Sequence, residues 1–275
     1  MAITINTNVS SLLAQQYLTQ NNRMLSNTLQ RLSSGKRVNN ASDDPAGLAI
    51  ASTMNAAING TNVGSRNGQD GINAISTAQG AMQVILNNLQ TMNSLAVQAA
   101  NGTNSSSDLT NLDTQYQQLL SEIDRVTSSV KFNGVSVLAG GSIAIQVGAN
   151  NTANDSISVS LTDTSTGSAS LDISGTDLTS NSNASDAIGA LSTAIQTLTT
   201  GLAQLGAYQS NLQAAIDNNN AYATNLSQSQ SSIMDADFAA ESANLAKYNV
   251  LNQADVAMLS QANSAPSFVL RLLQQ

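Results

Sequence analysis

The chain has 275 residues, no cysteine, no histidine and a formal net charge of −8 at pH 7. The absence of these residue types excludes thiol and imidazole catalysis, disulfide bonds and zinc sites of the Cys/His type. An acidic chain is also a poor partner for nucleic acid and for anionic membranes, which both attract basic surfaces. We therefore expect no nucleic-acid partner and no cofactor.

Aromatic residues make up only 3% of the chain and charged residues 9%, whereas 41% of the residues are hydrophobic. This composition suits long helices that pack through Leu, Ile and Ala seams better than one thick globular core. There is no run of about 18 apolar residues and no signal-peptide pattern at the N-terminus. We expect no membrane insertion and, if the protein is secreted, an export route without a standard cleaved signal.

The first predicted helix ends near Ser33 and carries leucines at spacings of seven, four and three, which is the coiled-coil period. These leucines are Leu18, Leu25, Leu29 and Leu32. Upstream, Val9, Leu13 and Tyr17 continue an apolar stripe in four-residue steps. An ordinary amphipathic helix on a globular core would show the same local pattern, so the alternative stays open.

A polar connector over residues 33–44 follows this helix. It ends in Ser42-Asp43-Asp44-Pro45, which predicts a helix start, because Asp or Ser caps exposed amides and Pro fits the first helical position.

The second predicted helix runs from Pro45 to about Ala100 and contains Gly60, Gly64, Gly68 and Gly71 on one face. Glycine destabilises a helix interior by about 1 kcal/mol relative to alanine. We interpret this face as a groove that another backbone segment approaches closely, with a helix break as the alternative. A third helix is predicted from Asp108 to about Val130.

The sequence Phe132-Asn133-Gly134-Val135 predicts a tight turn. Alternating apolar residues at 143–147 and again at 157–161 then predict a β-hairpin with one buried face. Residues 163–185 are rich in Ser, Thr, Asn and Asp, and we expect a surface loop or a short strand around Leu171 and Ile173.

A long heptad seam spans Ile188 to Ile233, with polar residues at Gln209, Asn219 and Gln230. The last helix is predicted to start near Asp235 or Asp237 and to end at Pro266. Its apolar stripe contains Leu245, Tyr248, Leu251, Met258 and Leu259.

Both chain ends carry apolar stripes without a local partner. The first helix is basic and the segment 235–255 is mostly acidic, so we predict that the two terminal helices pack together and become ordered in an assembly. The expected fold class is mainly α, with long coiled-coil-like helices from both termini and an antiparallel helical bundle that carries a small β-hairpin. The expected division is a terminal-helix domain from 1–32 and 235–275, a connector at 33–44, and a bundle at 45–234 with the hairpin at about 132–185.

Several segments of the chain resemble bacterial flagellins, the subunits of the flagellar filament. They are Ile5–Val9, Leu32–Arg37, Asn40–Ile50, Leu95–Gln98, Asn101–Asn104, Glu122–Val126, Phe132–Gly134, Ile145–Ala149, Asp235–Ala239 and Ala257–Asn263. The resemblance implies an inner region built from both termini, an outer bundle with a hairpin, unfolded export and helical polymerisation outside the cell. It further implies as partners the protein itself, an export chaperone, the flagellar secretion apparatus, and junction and cap proteins. With this resemblance, we expect the connector to lie where neighbouring subunits meet. The connector residues proposed for this role are Ser33, Gly35, Lys36, Arg37, Asp43 and Asp44.

Two departures from the family are visible in the sequence. Only about 35 residues separate the Ile145–Ala149 segment from the helix at Asp186, so we interpret the chain as a minimal form without large outer domains. The positions that resemble the surface recognised by the animal innate receptor lack the family's charged residues, and we expect weak recognition. These positions are Thr91, Asn93, Ser94 and Gln115, whereas Leu95 retains the family residue.

The predicted function is therefore that of a structural subunit of the extracellular filament, not of an enzyme. The acidic pairs Asp43-Asp44 and Asp235/Asp237 are better explained as helix caps and N-terminal charges than as catalytic carboxylates. Two alternatives remain open at this stage. One is a flagellar hook–filament junction protein, and the other is an intracellular coiled-coil scaffold.

Overall fold

A computed structural model describes the backbone of residues 7–272 and the side chains of residues 7–264. Its helices and strands are α1 Val9–Ser34, α2 Pro45–Ala99, α3 Ser106–Ser129, β1 Lys131–Phe132, β2 Val135–Ser136, β3 Ala139–Gln146, β4 Ser156–Asp163, α4 Asn181–Met234 and α5 Phe238–Leu272. The predicted mainly helical fold with a small hairpin region is confirmed. Ile5 and Asn6 of the first flagellin-like segment lie outside the described residues.

The chain divides into two compact units. Unit 1 consists of Met1–Ala56 and Asn225–Gln275, and unit 2 consists of Ala57–Thr224. Both boundaries fall inside helices, α2 and α4, whereas the sequence-based boundaries at 44/45 and 234/235 lie at helix ends. The functional division into terminal-helix domain, connector and bundle stays a prediction.

In unit 2, α4 runs antiparallel to α2. A Cβ added at Gly68 would lie 2.9 Å from Ile216, and one at Gly201 would lie 3.0 Å from Met82. Further along the pair, Asn181 Nδ2 donates to the carbonyl of Ala99 at 2.8 Å. Residue numbers therefore increase along α2 in the direction in which they decrease along α4. These two helices share one hydrophobic core with α3, the β3–β4 hairpin and the segment before α4.

The glycine face of α2 is covered by the chain that leaves β3. A Cβ added at Gly64 would lie 2.0 Å from the carbonyl oxygen of Val147, which is far inside a van der Waals contact. The same carbonyl accepts a hydrogen bond from Asn219 Nδ2 at 2.8 Å. The predicted close backbone approach is confirmed. The alternative of a helix break is wrong, because α2 is continuous from Pro45 to Ala99.

The predicted hairpin is confirmed as the antiparallel pair β3–β4, in which Ile143 lies opposite Val159 and Ile145 opposite Ile157. Ile145 and Val159 are buried in the core of unit 2. The predicted tight turn is also confirmed, and it joins the short antiparallel strands β1 and β2.

The segment between β4 and α4 corrects a sequence-based expectation. It is neither a surface loop nor a strand, because Leu171, Ile173 and Leu178 are all buried in the core while the backbone stays irregular. Apolar residues at only a few positions anchor an otherwise polar segment. The burial of these few apolar residues was not predicted, because the segment is mostly polar and its remaining side chains form local turns.

Hydrogen bonds fasten this segment antiparallel along α3. Thr127 on α3 bonds to Thr164, and Tyr116, about three turns earlier, bonds to Thr176. Between them, the carboxylate of Asp124 accepts from the amide of Thr166 at 2.9 Å and from its hydroxyl at 2.8 Å. Thr166 is buried, so Asp124 provides the acceptors that this part of the segment needs.

Replacing Asp124 with alanine should lower the free energy of unfolding of unit 2 by about 2 kcal/mol, because two donors of buried Thr166 lose their acceptor. Urea unfolding followed by circular dichroism measures the change. Glu122→Ala is the matched control on the same helix. It breaks only an exposed pair with Arg125 at 2.6 Å and should cost about 0.5 kcal/mol or less. Equal losses in the two variants would contradict the anchoring role.

The prediction that Pro266 ends the last helix is wrong, because α5 continues to Leu272. A proline inside a helix leaves the carbonyl four residues earlier without its amide donor. Here that carbonyl belongs to Ala262, and it accepts a hydrogen bond from the side-chain amide of Asn8 at 2.8 Å. A donor from α1 therefore replaces the bond that the proline removes.

Candidate functional site

The two terminal helices α1 and α5 pack antiparallel within unit 1, as predicted from their unpartnered stripes. Asn8 bonds to Ala262 near one end of the pair, and Arg31 bonds to Glu241 near the other. Most of the predicted seam residues are half-buried between the helices. They are Leu18, Leu25, Leu32, Leu245, Tyr248, Leu251 and Leu259.

Two residues of the predicted seam lie elsewhere. Leu29 is 49% exposed and Met258 is 64% exposed, so neither is enclosed by the pairing of α1 with α5. Leu29 was assigned to the seam from the leucine spacing of α1, and Met258 from the broad apolar stripe of α5. Because an α-helix has 3.6 residues per turn, such patterns do not separate a seam position from its neighbours. Their proposed role in assembly stays a prediction.

The predicted charge complementarity of the terminal helices appears at one well-defined ion pair. Arg31 Nη1 lies 3.1 Å from Glu241 Oε1, and Glu241 is only 8% exposed. At Asp255, by contrast, the carboxylate accepts a hydrogen bond from the neutral side chain of Asn21. The pairing is thus specified by both charged and amide groups, which fix the register of the two helices.

The helix pair also presents a large set of exposed apolar side chains. We call this set the exposed apolar face, although its members lie on more than one side of each helix. Its members on α1 are Val9, Leu12, Leu13, Tyr17, Met24 and Leu29, and on α5 they are Phe238, Val250, Val256 and Met258. Part of this set was predicted from the sequence: Val9, Leu13 and Tyr17 as an upstream apolar stripe, and Leu29 and Met258 as seam residues. Leu12, Met24, Phe238, Val250 and Val256 were missed, although a second apolar residue in most turns of α1 was the available signal.

Unit 1 buries little apolar surface of its own. Among the side chains described in this unit, the only buried apolar ones are Val38 and Ala51. In unit 2, by contrast, one extensive core joins three helices and the hairpin. A helix pair with so small a core is marginally stable in water. The exposed apolar face therefore marks a surface that requires a further partner.

The connector between α1 and α2 is fastened to the segment between α4 and α5. Gly35 ends α1 in the left-handed conformation with φ 69°, which glycine adopts without strain. The next residue, Lys36, forms a backbone bridge with Asp235, and the amide of Arg37 donates to the carbonyl of Met234 at 2.6 Å. Gln230 Nε2 also donates to the carbonyl of Ala51, at 3.2 Å.

The predicted connector residues differ in how they are used. The guanidinium of Arg37 donates to the carbonyl of Ile233 at 2.7 Å, so it already has a partner within the chain. Ser33, Gly35 and Lys36 are exposed. A contact of Lys36 or Arg37 with a neighbouring subunit stays a prediction.

The two connector aspartates cap local backbone. Asp43 accepts from the amides of Asn40 and Asn39, and these bonds hold the pKa of its carboxyl below the ordinary value. Asp44 accepts from the amide of Gly47 at 2.8 Å, and α2 begins at Pro45. The predicted helix start is confirmed.

The residues at the predicted receptor surface lie in unit 2, on α2 and α3. Thr91, Ser94 and Gln115 are exposed, and Asn93 and Leu95 are half-buried. Thr91 and Ser94 turn their hydroxyls back to the helix, where they donate to the carbonyls of Asn87 and Gln90.

Within residues 7–272, no helix combines the length and the apolar character that crossing a membrane requires. In the same part of the chain, no group of three or more Asp or Glu side chains is arranged to hold a metal ion. The geometry that stands out is instead the pairing of the chain ends and the exposed apolar face.

One unit contains the paired terminal helices and the other contains a helical bundle with a hairpin, which together define a mainly helical class of protein. Two family models match the chain: the bacterial flagellin N-terminal helical region matches residues 5–143, and the bacterial flagellin C-terminal helical region matches residues 188–273. The chain belongs to the bacterial flagellin family. Residues 144–187 lie between the two matched regions.

Individual relatives agree with this assignment. The chain is 51% identical over 152 residues to a flagellin of Salmonella muenchen and 49% identical over 152 residues to a flagellin of Escherichia coli strain K12. Each match covers 55% of this chain and 30% of the relative, so the chain spans about a third of the length of these proteins. A putative flagellar hook-associated protein from Vibrio parahaemolyticus shares the fold, with a TM-score of 0.58 and 11% identity over 70% of this chain and all of that one.

Proposed function

We propose that this protein is a structural subunit that polymerises through its terminal helices into an extracellular flagellar filament. The observation that carries the proposal is the exposed apolar face on α1 and α5, in a unit whose described side chains include only Val38 and Ala51 as buried apolar ones. Covering apolar surface contributes roughly 25 cal/mol per Å². Copies of the same face provide this cover repeatedly, which favours a polymer.

The interface of such a polymer is built by helices that each chain has already paired. Within one chain, Leu25 and Leu251 lie in the half-buried seam, and the polar bonds of Arg31 with Glu241 fix the register. Between chains, Leu13, Tyr17 and their neighbours on the exposed apolar face pack against the next subunit. A coiled-coil-like layer around the filament axis is the arrangement that buries both surfaces.

The remaining roles follow from family membership and are part of the proposal. The chain is exported unfolded through the flagellar secretion apparatus with the help of an export chaperone, and it meets junction and cap proteins at the filament ends. It has no catalytic role: Asp237 caps α5 by accepting from the amides of Ala239 and Ala240, and Asp43 and Asp44 cap the connector. With 44 residues between the matched regions, we propose a minimal subunit without large outer domains.

A flagellar hook–filament junction protein is the second candidate, favoured by the shared fold of the hook-associated protein from Vibrio parahaemolyticus. The two candidates differ in how far they polymerise. Purified protein is mixed with short filament seeds and imaged by negative-stain electron microscopy. Long filaments whose length grows with added protein support the filament subunit. Short oligomers that stop growing support the junction protein and contradict our proposal.

We also propose that the animal innate receptor for flagellin responds weakly to this protein. The family's charged groups are replaced by short neutral side chains at Thr91, Asn93 and Ser94 and by an amide at Gln115, so charge-assisted hydrogen bonds to the receptor are lost. A reporter-cell assay with purified monomer should show at least ~10-fold lower potency than a flagellin that carries those charges. Equal potency would contradict the proposal. The triple substitution T91R, N93R and S94E should raise the potency.

A further inference from the structure

Asn8 is the residue before α1, and its side chain bonds to both terminal helices. Its Oδ1 accepts from the amide of Ser11 at 3.1 Å, which caps the first turn of α1. Its Nδ2 donates to the carbonyl of Ala262 on α5 at 2.8 Å. The oxygen and the nitrogen of one side-chain amide therefore bond to two different helices, and Ala262 is 254 residues from Asn8 in the chain.

The acceptor on α5 is the carbonyl of Ala262, which lacks its usual helical donor because of a proline. In a helix the carbonyl of residue 262 bonds to the amide of residue 266, but residue 266 is proline and has no amide hydrogen. An interior proline destabilises a helix strongly, in part through this lost bond. Yet α5 continues without interruption to Leu272. Asn8 supplies this carbonyl with a hydrogen-bond donor that proline cannot provide.

A second bond at the same place restricts the geometry further. Ser11 Oγ donates to the side chain of Asn263 at 2.6 Å, one residue beyond Ala262. Asn8 and Ser11 are also joined to each other through the cap. A shift of α5 by one residue along α1 would break both interhelical bonds. The bonds thus depend on one register of the two helices.

We propose that Asn8 is a positioning residue that sets the register of α1 against α5 by supplying the hydrogen-bond donor that Pro266 lacks. The start of α1 and the continuation of α5 beyond the proline are consequently coupled. The role concerns the pairing of two helices within one chain, and its test rests on the proposed function, because we predict that the chain ends become ordered in the assembly.

The proposal predicts a specific coupling between positions 8 and 266. Asn8→Asp keeps the capping oxygen, since Asp is as good an N-cap as Asn, but it removes the donor. In this variant we expect the backbone amides of residues 263–272 to exchange with deuterium ~5-fold faster than in the wild-type chain, the size expected for one hydrogen bond. Asn8→Ser, which also keeps a capping oxygen, tests the same loss without adding a charge.

Pro266→Ala provides the rescue, because alanine restores the amide that bonds to Ala262. In the Pro266→Ala background, Asn8→Asp and Asn8→Ser should change exchange at residues 263–272 less than ~2-fold. Asn252→Ser is the matched control, since Asn252 also bonds to α1, through Asn22, but has no proline partner. Its effect should be equal in both backgrounds.

Exchange is measured by mass spectrometry on filaments assembled on seeds from the 275-residue chain. An Asn8 effect of the same size with and without Pro266, or no effect at all, would overturn the proposal. Amides at residues 263–272 that exchange without protection in the wild-type filament would overturn it as well. A failure to polymerise would contradict the proposed function, whereas filaments without the coupling between positions 8 and 266 would contradict the role of Asn8.

Discussion

Replacing Gly64 with alanine is expected to lower the free energy of unfolding of unit 2 by about 3 kcal/mol. A Cβ at this position would lie 2.0 Å from the carbonyl oxygen of Val147, so the backbone after β3 has to move by more than 1 Å. That movement would also stretch the bond from Asn219 Nδ2, which holds the same carbonyl at 2.8 Å. Both contacts involve the backbone carbonyl of Val147, and backbone cannot change rotamer to relieve the clash.

Gly80→Ala is the matched control in the same helix. No atom lies within 4 Å of a Cβ added there, so alanine replaces glycine in an open helix interior. We expect stabilisation by about 0.5–1 kcal/mol, the usual gain from glycine to alanine. Thermal and urea unfolding of the two variants should therefore shift in opposite directions. A stabilised Gly64→Ala would contradict the close packing of the hairpin on α2.

Replacing Leu25 or Leu251 with aspartate is expected to abolish filament assembly. Both leucines are half-buried in the seam between α1 and α5. A carboxylate there would be enclosed without a partner, which costs several kcal/mol in each subunit. Because a filament repeats this cost at every subunit, the critical concentration for assembly should rise beyond the accessible range. Sedimentation of seeded reactions measures it.

The controls for this pair are Leu25→Met and Leu251→Met, which conserve volume and apolar character and should assemble. Circular dichroism should report a folded unit 2 in all four variants, since both positions belong to unit 1. Filaments formed by either aspartate variant at the wild-type critical concentration would contradict the role of the seam.

Much of the fold was predictable because its cause is local in the sequence. Leu191, Leu198 and Leu205 repeat every seven residues and are all buried on α4. The alternation around Ile145 and Val159 likewise gave the hairpin. Even the glycine face of α2 was visible, since glycines at helical spacing have a cost that only close packing offsets.

Other features depend on contacts between distant residues, and the sequence pattern gave no access to them. Leu171 and Ile173 are buried because α3 provides acceptors such as Asp124 for the neighbouring polar backbone. Similarly, Pro266 was expected to end a helix, because its compensating donor is Asn8 at the other end of the chain. The composition of a segment shows which residues it contains, but not which distant residue forms its hydrogen bonds.

The functional surface was predictable in location but not in detail. The terminal helices and most of their seam were predictable from the sequence, as the half-buried Leu18 and Leu259 show. It did not separate residues that pair within the chain from those left exposed, such as Leu29 and Met258. That distinction depends on the rotation of α1 against α5, which several bonds between the helices fix, among them the ion pair of Arg31 with Glu241.

The most direct test of the central claim is seeded assembly of the chain truncated at residue 234, compared with the intact chain. The truncation removes α5, and with it the seam partner of α1 and four of the ten residues of the exposed apolar face. We predict that the truncated protein keeps a cooperatively melting unit 2 but forms no filaments in sedimentation and electron microscopy. Filaments assembled from the truncated protein would contradict the claim that the paired chain ends drive polymerisation.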